Sequence, residues 1–218
     1  MMNKKNISMA GAALIALAVA LAGCAGMGSS GSNGISDAEA ARLAQESMKA
    51  SFVTSGIASI DRLTQDELQR ICTEYAGKEV PKDIAGKIEK AQLSAIVMPA
   101  TDTPNGSWQE GEKIAQNGRG LTFSDKAGDV GGGNCYACHQ IAPQEISYGN
   151  IGPSLYNYGK LRGQGKEIAD YTYKKIYNAQ AFSACSNMPR FGHQKILTQA
   201  QIMDLVALLL DPKSPVNQ

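Results

Sequence analysis

An excess of charge of either sign is missing from this 218-residue chain: 21 Lys and Arg stand against 20 Asp and Glu, a formal net charge of +1. Setting aside Lys4 and Lys5, which belong to an N-terminal leader, leaves 19 basic residues against the 20 acidic ones. Such a balance gives no general attraction to nucleic acid or to an anionic membrane surface. Long hydrophobic runs are also scarce. Residues 7–21 are apolar, but the stretch is too short and too rich in small residues for a good membrane span. No segment shows convincing strand alternation, so the chain reads as all-α. Histidine occurs only twice, as His139 and His193, and cysteine five times, so each carries weight.

Cys135-Tyr136-Ala137-Cys138-His139 is the most informative sequence present. C-x-x-C-H is the attachment sequence of a covalently bound c-type haem. Two cysteines three residues apart on one helical turn reach the two vinyl groups along one edge of a porphyrin. His139 then projects beneath the ring and gives iron its proximal nitrogen ligand. The alternative is a zinc or redox C-x-x-C that happens to precede a histidine, which wants further ligands nearby or a cytosolic thioredoxin-like setting.

Export favours haem. Lys4 and Lys5 before the apolar run make a signal peptide, residues 1–23, closing on Leu21-Ala22-Gly23-Cys24. These residues resemble a bacterial lipobox, which implies that Cys24 is the lipidated first residue of a periplasmic, membrane-anchored protein. Plain cleavage after Ala20-Leu21-Ala22 is the competing reading. The Gly/Ser-rich segment that follows, within residues 24–35, is the tether such an anchor needs.

Residues 36–106 read as an N-terminal helical extension. Ser36 with Glu39, and Thr64 with Glu67, open helices as capping boxes, the first running to about residue 52. In the second, Leu68, Ile71, Cys72 and Tyr75 share one apolar face. Pro81 starts a third, and a loop at 99–107 separates it from the rest. Residues 107–218 resemble a class I cytochrome c. Trp108, Gly111, Ile114 and Ala115 lie on a short helix, with Gly111 small enough for another helix to cross closely. Its expected partner is the last helix, capped by Thr198, striped by Ile202, Leu205, Val206, Leu208 and Leu209, and stopped before Pro212. A middle helix is predicted over 167–181. The glycine-rich stretch 117–134 lacks the G-K-[ST] ending of a phosphate loop and reads as backbone passing near the haem edge.

Class I cytochromes take their second axial ligand from a later methionine, and only Met188 and Met203 follow the haem motif. Met203 falls inside the predicted last helix. Met188 precedes Pro189, which biases the backbone at 188 towards an extended shape, and is the favoured ligand. His193 is the rival; with Met188 on iron it becomes a surface residue. Ile151-Gly152-Pro153-Ser154-Leu155 resembles the glycine-proline turn of class I cytochromes, which implies that the Pro153 carbonyl accepts the Nδ1 hydrogen of His139. Lys160, Arg162, Lys166, Lys174, Lys175 and Arg190 read as an ordinary solvated surface, with a basic docking face as the alternative.

Five phrases carry a finer resemblance: Leu63-Thr64-Gln65-Asp66 leading to Cys72, Trp108 to Ala115, Gly118-Arg119-Gly120-Leu121-Thr122, the haem motif, and Met188-Pro189-Arg190-Phe191-Gly192. Over roughly residues 60–210 the chain is similar to the SoxX family, the monohaem subunits of SoxAX cytochromes of sulfur-oxidising bacteria. The resemblance implies one covalent haem c and a SoxA-like haem subunit as partner. It also implies transient contact with a SoxYZ-like carrier and a downstream cytochrome c. SoxAX is an L-cysteine S-thiosulfotransferase that joins thiosulfate oxidatively to a carrier cysteine. The bond-making site belongs to SoxA, so this chain is expected to accept electrons, with no catalytic residue of its own. A generic cytochrome c carrier, or a haem sensor or peroxidase in which Met188 dissociates, remains as an alternative. With Cys24 assigned to lipid and Cys135 and Cys138 to haem, Cys72 and Cys185 are left in an oxidising compartment and are expected to pair; two separately buried thiols are the other reading.

Overall fold

Seven α-helices and four single-turn 3-10 helices make up the regular structure among the described residues, 34–101 and 105–218, of this computed structural model. The leader, Cys24 and most of the tether lie outside them. No strand occurs among the described residues beyond an isolated bridge between Ser55 and Ala58. The chain divides into two units, Met1–Phe52 and Val53–Gln218.

The described part of the first unit is helix α1, Asp37–Ser51. The Ser36 hydroxyl accepts the Glu39 N–H, 3.2 Å away, but the Glu39 carboxylate bonds Arg42 instead of returning to the cap. Half of the expected box therefore forms. No residue of this helix is buried.

The second unit begins with a 3-10 turn, Ile60–Leu63, and helix α2, Glu67–Glu74. Here the cap differs from the sequence expectation. Asp66 and Gln69 form the reciprocal box in place of Thr64 and Glu67, because the chain stays extended through 64–66 and the helix starts later. Leu68 is buried, with Ile71, Cys72 and Tyr75 partly so, along the predicted face. Helix α3, Lys82–Ser94, has Pro81 at its N-cap, one residue earlier than the first turn.

Gly111 sets the central packing. It lies in helix α4, Trp108–Gln116, which crosses the final helix α7, Gln199–Leu210. A Cβ at 111 would stand 2.7 Å from the Asp204 carbonyl carbon, closer still to its oxygen, and 2.9 Å from the Leu208 Cβ. Only glycine allows this approach. The Ser107 N–H donates to Asp204 Oδ1 at 2.8 Å and pins the start of α4 to the same turn. Thr198 and Gln201 cap α7 reciprocally, and every residue from Leu205 to Leu210 is buried. Met203 is buried in this core as well, 8% exposed.

Two more helices close the core: α5, Tyr158–Arg162, and α6, Lys166–Tyr177. The predicted middle helix ends at Tyr177, and a 3-10 turn, Ala179–Ala181, follows because buried Asn178 breaks the run. Helix α5 was not legible in the sequence. Its N-terminus is satisfied from the far end of the chain: Asn217 Oδ1 accepts the N–H groups of Gly159 and Lys160, while its Nδ2 donates to the Leu209 and Asp211 carbonyls. One buried asparagine thus ties the start of α5 to the end of α7.

Candidate haem site

The C-x-x-C-H sequence sits on a 3-10 turn, Cys135–Ala137, entered through Asn134 in left-handed conformation (φ +47°). Asparagine tolerates that region better than most residues. Backbone bonds from Gly133 to the Ile114 carbonyl (2.9 Å) and from Asn134 to the Asn117 carbonyl (3.0 Å) hook the turn onto the end of α4. The glycine-rich stretch is tied down at its ends, since Gly132 also donates to the Arg119 carbonyl. A later segment runs beside the turn: Gly149 donates to the Tyr136 carbonyl (2.8 Å), Gly152 to the Cys138 carbonyl (2.9 Å) and Leu155 to the Gln140 carbonyl (2.7 Å).

That second segment orients His139. Its Nδ1 lies 2.7 Å from the Pro153 carbonyl oxygen. A carbonyl can only accept, so Nδ1 carries the proton and the Nε2 lone pair is left for a metal. Gly152 lies flat against the ring: a Cβ there would be 2.5 Å from Nδ1 and 2.7 Å from Nε2. The imidazole is thus held from one side by a hydrogen bond and from another by bare backbone.

Tyr136, between the two cysteines, fixes the turn from inside. Its hydroxyl donates to the Glu112 carboxylate, 2.9 and 3.1 Å from the two oxygens, and accepts the Ala142 N–H at 3.3 Å. Burial, then the Glu112 bond and charge, push its phenol well up from the ordinary value. Sequence reasoning passed over this pair. The signal was a glutamate one helical turn before Ala115, with nothing local to pair it to the motif.

Cys135 and Cys138 are free thiols. Burial pushes the Cys135 thiol up to about 12, the opposite of the lowered value that marks a reactive redox cysteine. No cluster of three or more His, Cys, Asp or Glu that could hold a metal ion occurs among the described residues. A zinc site would want such a cluster. The loops flanking the turn also leave Val130, Ile146 and Ile151 at least 74% exposed, apolar surface suited to contact with a macrocycle. Free thiols at thioether spacing, an oriented imidazole and open apolar side chains all fit a covalent haem.

Met188 lies in the irregular segment between the 3-10 turn at Ala179–Ala181 and α7, partly buried against the core. The extension grips this segment at several points. Cys72 of α2 and Cys185 form a disulfide, with Cα atoms 5.4 Å apart across 113 residues of sequence. A loop of that length corresponds to about 4–5 kcal/mol in the chain-entropy account. Cys185 has φ +59°, a left-handed conformation that costs a non-glycine residue on the order of 1 kcal/mol. Arg190, only 5% exposed, donates to Asp66 Oδ2 at 2.5 Å. Arg190 therefore leaves the solvated-surface group in which its sequence placed it. The Ala184 N–H reaches Glu89 Oε1 at 3.1 Å, and just before the 3-10 turn Asn178 Nδ2 reaches Gln92 Oε1 at 2.8 Å.

Burial alone would raise the Asp66 carboxyl, but the bonds from Arg190 and the Gln69 N–H, with the Arg190 and His193 charges, hold it below its usual range. His193 is not the surface residue expected. It is half-buried at this seam, its N–H donating to the Tyr177 carbonyl, and burial followed by the Arg190 charge lowers its pKa.

These features define a covalent haem protein of the all-α class. Comparison with known proteins agrees: the cytochrome c family matches residues 108–212. A protein of Aquifex aeolicus (strain VF5), described as an uncharacterized lipoprotein, is 39% identical over 158 residues, 71% of this chain and 73% of that one. Residues 108–212 form a cytochrome c domain. Its cofactor is haem c and its role is haem electron transfer; Cys135 and Cys138, with His139 oriented by the Pro153 carbonyl, are the residues that would hold it. The disulfide and the covalent haem belong to an extracytoplasmic protein. No helix among the described residues is long and apolar enough to cross a membrane.

Proposed function

We propose that this cytochrome is the monohaem electron-transfer subunit of a SoxAX-type L-cysteine S-thiosulfotransferase, anchored in the periplasm by lipid on Cys24. When bound, the haem supplies one-electron redox chemistry. His139 and Met188 would hold its iron from two sides and leave no open coordination position, which would favour outer-sphere transfer over small-molecule chemistry. Forming one S–S bond between thiosulfate and a carrier cysteine releases two electrons, so a single haem here accepts them one at a time or shares them with the partner. The bond-making site is assigned to the SoxA-like subunit.

One observation supports this reading above the others. The phrases that resemble SoxX come from distant parts of the chain, and two of them meet: Leu63–Asp66 with Cys72 is joined to the Met188–Gly192 region by the Cys72–Cys185 bond and the Asp66–Arg190 ion pair. A generic carrier has no need of such an extension, because the core of α4, α6 and α7 is already closed. The lipid anchor rests on the Leu21–Cys24 sequence and on a relative described as a lipoprotein.

Purification from the native host tests the reading. A second haem subunit should copurify, and the mixture with a SoxYZ-like carrier and thiosulfate should reduce this haem. A chain that purifies alone and stays oxidised under those conditions would return the function to a generic carrier.

A further inference from the structure

A groove of about 600 Å³ opens beside the disulfide, on the seam between α2 and the methionine segment. Cys72 and Cys185 both line it, with Thr73, Lys78, Gln180 and Asn187 among its walls. Lys78 is the one charged residue in that lining. Gln180 donates through Nε2 to the Ser186 carbonyl, while its Oε1 is buried without a hydrogen-bond partner. Two features therefore coincide: a groove walled by both cysteines of the bond, and a cationic wall. Beside them stands Cys185, a bonded cysteine with left-handed backbone.

We propose that the Cys72–Cys185 bond is a thiol–disulfide exchange site, open through this groove to an anionic dithiol reductant, and that its opening frees the methionine-bearing segment. A thiolate of the reductant attacks one sulfur, forming a mixed disulfide and releasing the other cysteine as a thiolate that takes a proton from water. The second thiolate of the reductant then attacks the mixed disulfide, releases the second cysteine and closes as the reductant's own disulfide. Two electrons pass from the dithiol to the protein. Once the bond is open, Cys185 relaxes from its left-handed conformation and the segment is tied to the extension by its hydrogen bonds, Asp66–Arg190 and Glu89–Ala184.

The holoprotein, folded and without denaturant, is treated with dimercaptosuccinate or with neutral dithiothreitol. Alkylation of Cys72 and Cys185 is followed by mass spectrometry, and amide hydrogen exchange is followed in parallel. Both cysteines should label while the protein stays folded. Exchange across 184–191 should accelerate by about tenfold or more, with α7 unchanged. Lys78→Glu should lower the rate ratio of dimercaptosuccinate to dithiothreitol about fivefold, the scale of one charge contact near water. The Cys72→Ser/Cys185→Ser double variant should show the fast exchange without reductant. Labelling that waits for global unfolding, or a reduced protein whose 184–191 exchange matches the oxidised one, would overturn the proposal. A ratio indifferent to Lys78→Glu overturns the anionic partner. None of these readouts depends on the sulfur-oxidation reading.

Discussion

Gly152→Ala should damage the haem site while adding only one methyl group. The new Cβ would stand 2.5 Å from His139 Nδ1 and 2.7 Å from Nε2, against about 3.5–4.0 Å for comfortable non-bonded contact. Something must move by about 1 Å. The backbone at 152 is held by its bond to the Cys138 carbonyl, so the imidazole is the part that yields. Swinging it away lengthens the 2.7 Å bond from Nδ1 to the Pro153 carbonyl and tilts Nε2 from its aim. Overpacking costs about 1–3 kcal/mol and the lost hydrogen bond about 0.5–1.5, together about 2–4 kcal/mol. For a domain of this size that is a fall in Tm of roughly 4–16 °C. The reduction potential should rise, as the imidazole loses the bond that raises its basicity and with it some of its donation to ferric iron. Thermal unfolding followed by the Soret band, with potentiometry on the same sample, gives both numbers. A variant with unchanged Tm, spectrum and potential would refute the claim that bare backbone at 152 positions the ring.

Four further outcomes are expected. Tyr136→Phe removes a charge-assisted hydrogen bond and strands the buried Ala142 N–H, and should cost about 2–4 kcal/mol in chemical denaturation. Met188→Ala should abolish the weak near-infrared band of methionine-to-ferric ligation and lower the potential; persistence of that band would transfer the sixth ligand elsewhere. Cys24→Ser should move the protein from the membrane fraction to the soluble periplasm with its haem spectrum intact, and identical fractionation of both forms would favour plain cleavage. For Asp66 the folded pKa is depressed, so its contribution is present above the unfolded value of about 3.9 and lost as pH falls through the folded one. Wild type should therefore exceed Asp66→Asn in stability at neutral pH and lose that advantage below about pH 4.

The haem motif, the crossing of the first and last domain helices at Gly111 and the caps at Ser36 and Thr198 were legible because each is a short local pattern with one strong physical meaning. Thr64 misled because two capping-box spellings overlap at 64–69, and only the extended backbone through 66 chooses between them. Helix α5 escaped because its five residues carry no cap of their own; the cap is Asn217, nearly sixty positions away. Arg190 and His193 were misplaced for a related reason. A charged residue in a loop reads as solvated until a carboxylate from another element, here Asp66, is known to face it. The Glu112–Tyr136 contact was likewise invisible, since hydrogen bonds across helices have no sequence period.

The extension's placement has an energetic consequence for the iron. Met188 sits on a segment of irregular backbone running from 182 to 197, and a ligand on a free loop of that length can wander once it leaves the metal. Cys185 and Arg190 divide that segment, leaving only residues 186–189 between fixed points. Shortening the free loop about fourfold reduces the closure entropy by about 1 kcal/mol, or roughly a fivefold smaller released fraction. With Met188 on iron, as proposed, the same restraint would act on both oxidation states and hold its sulfur in one place. An electron carrier benefits from that constancy, whereas a sensor or peroxidase needs the methionine to leave. While the Cys72–Cys185 bond is closed, the bracing of 182–197 by the extension thus argues for transfer over ligand chemistry, independently of any family resemblance.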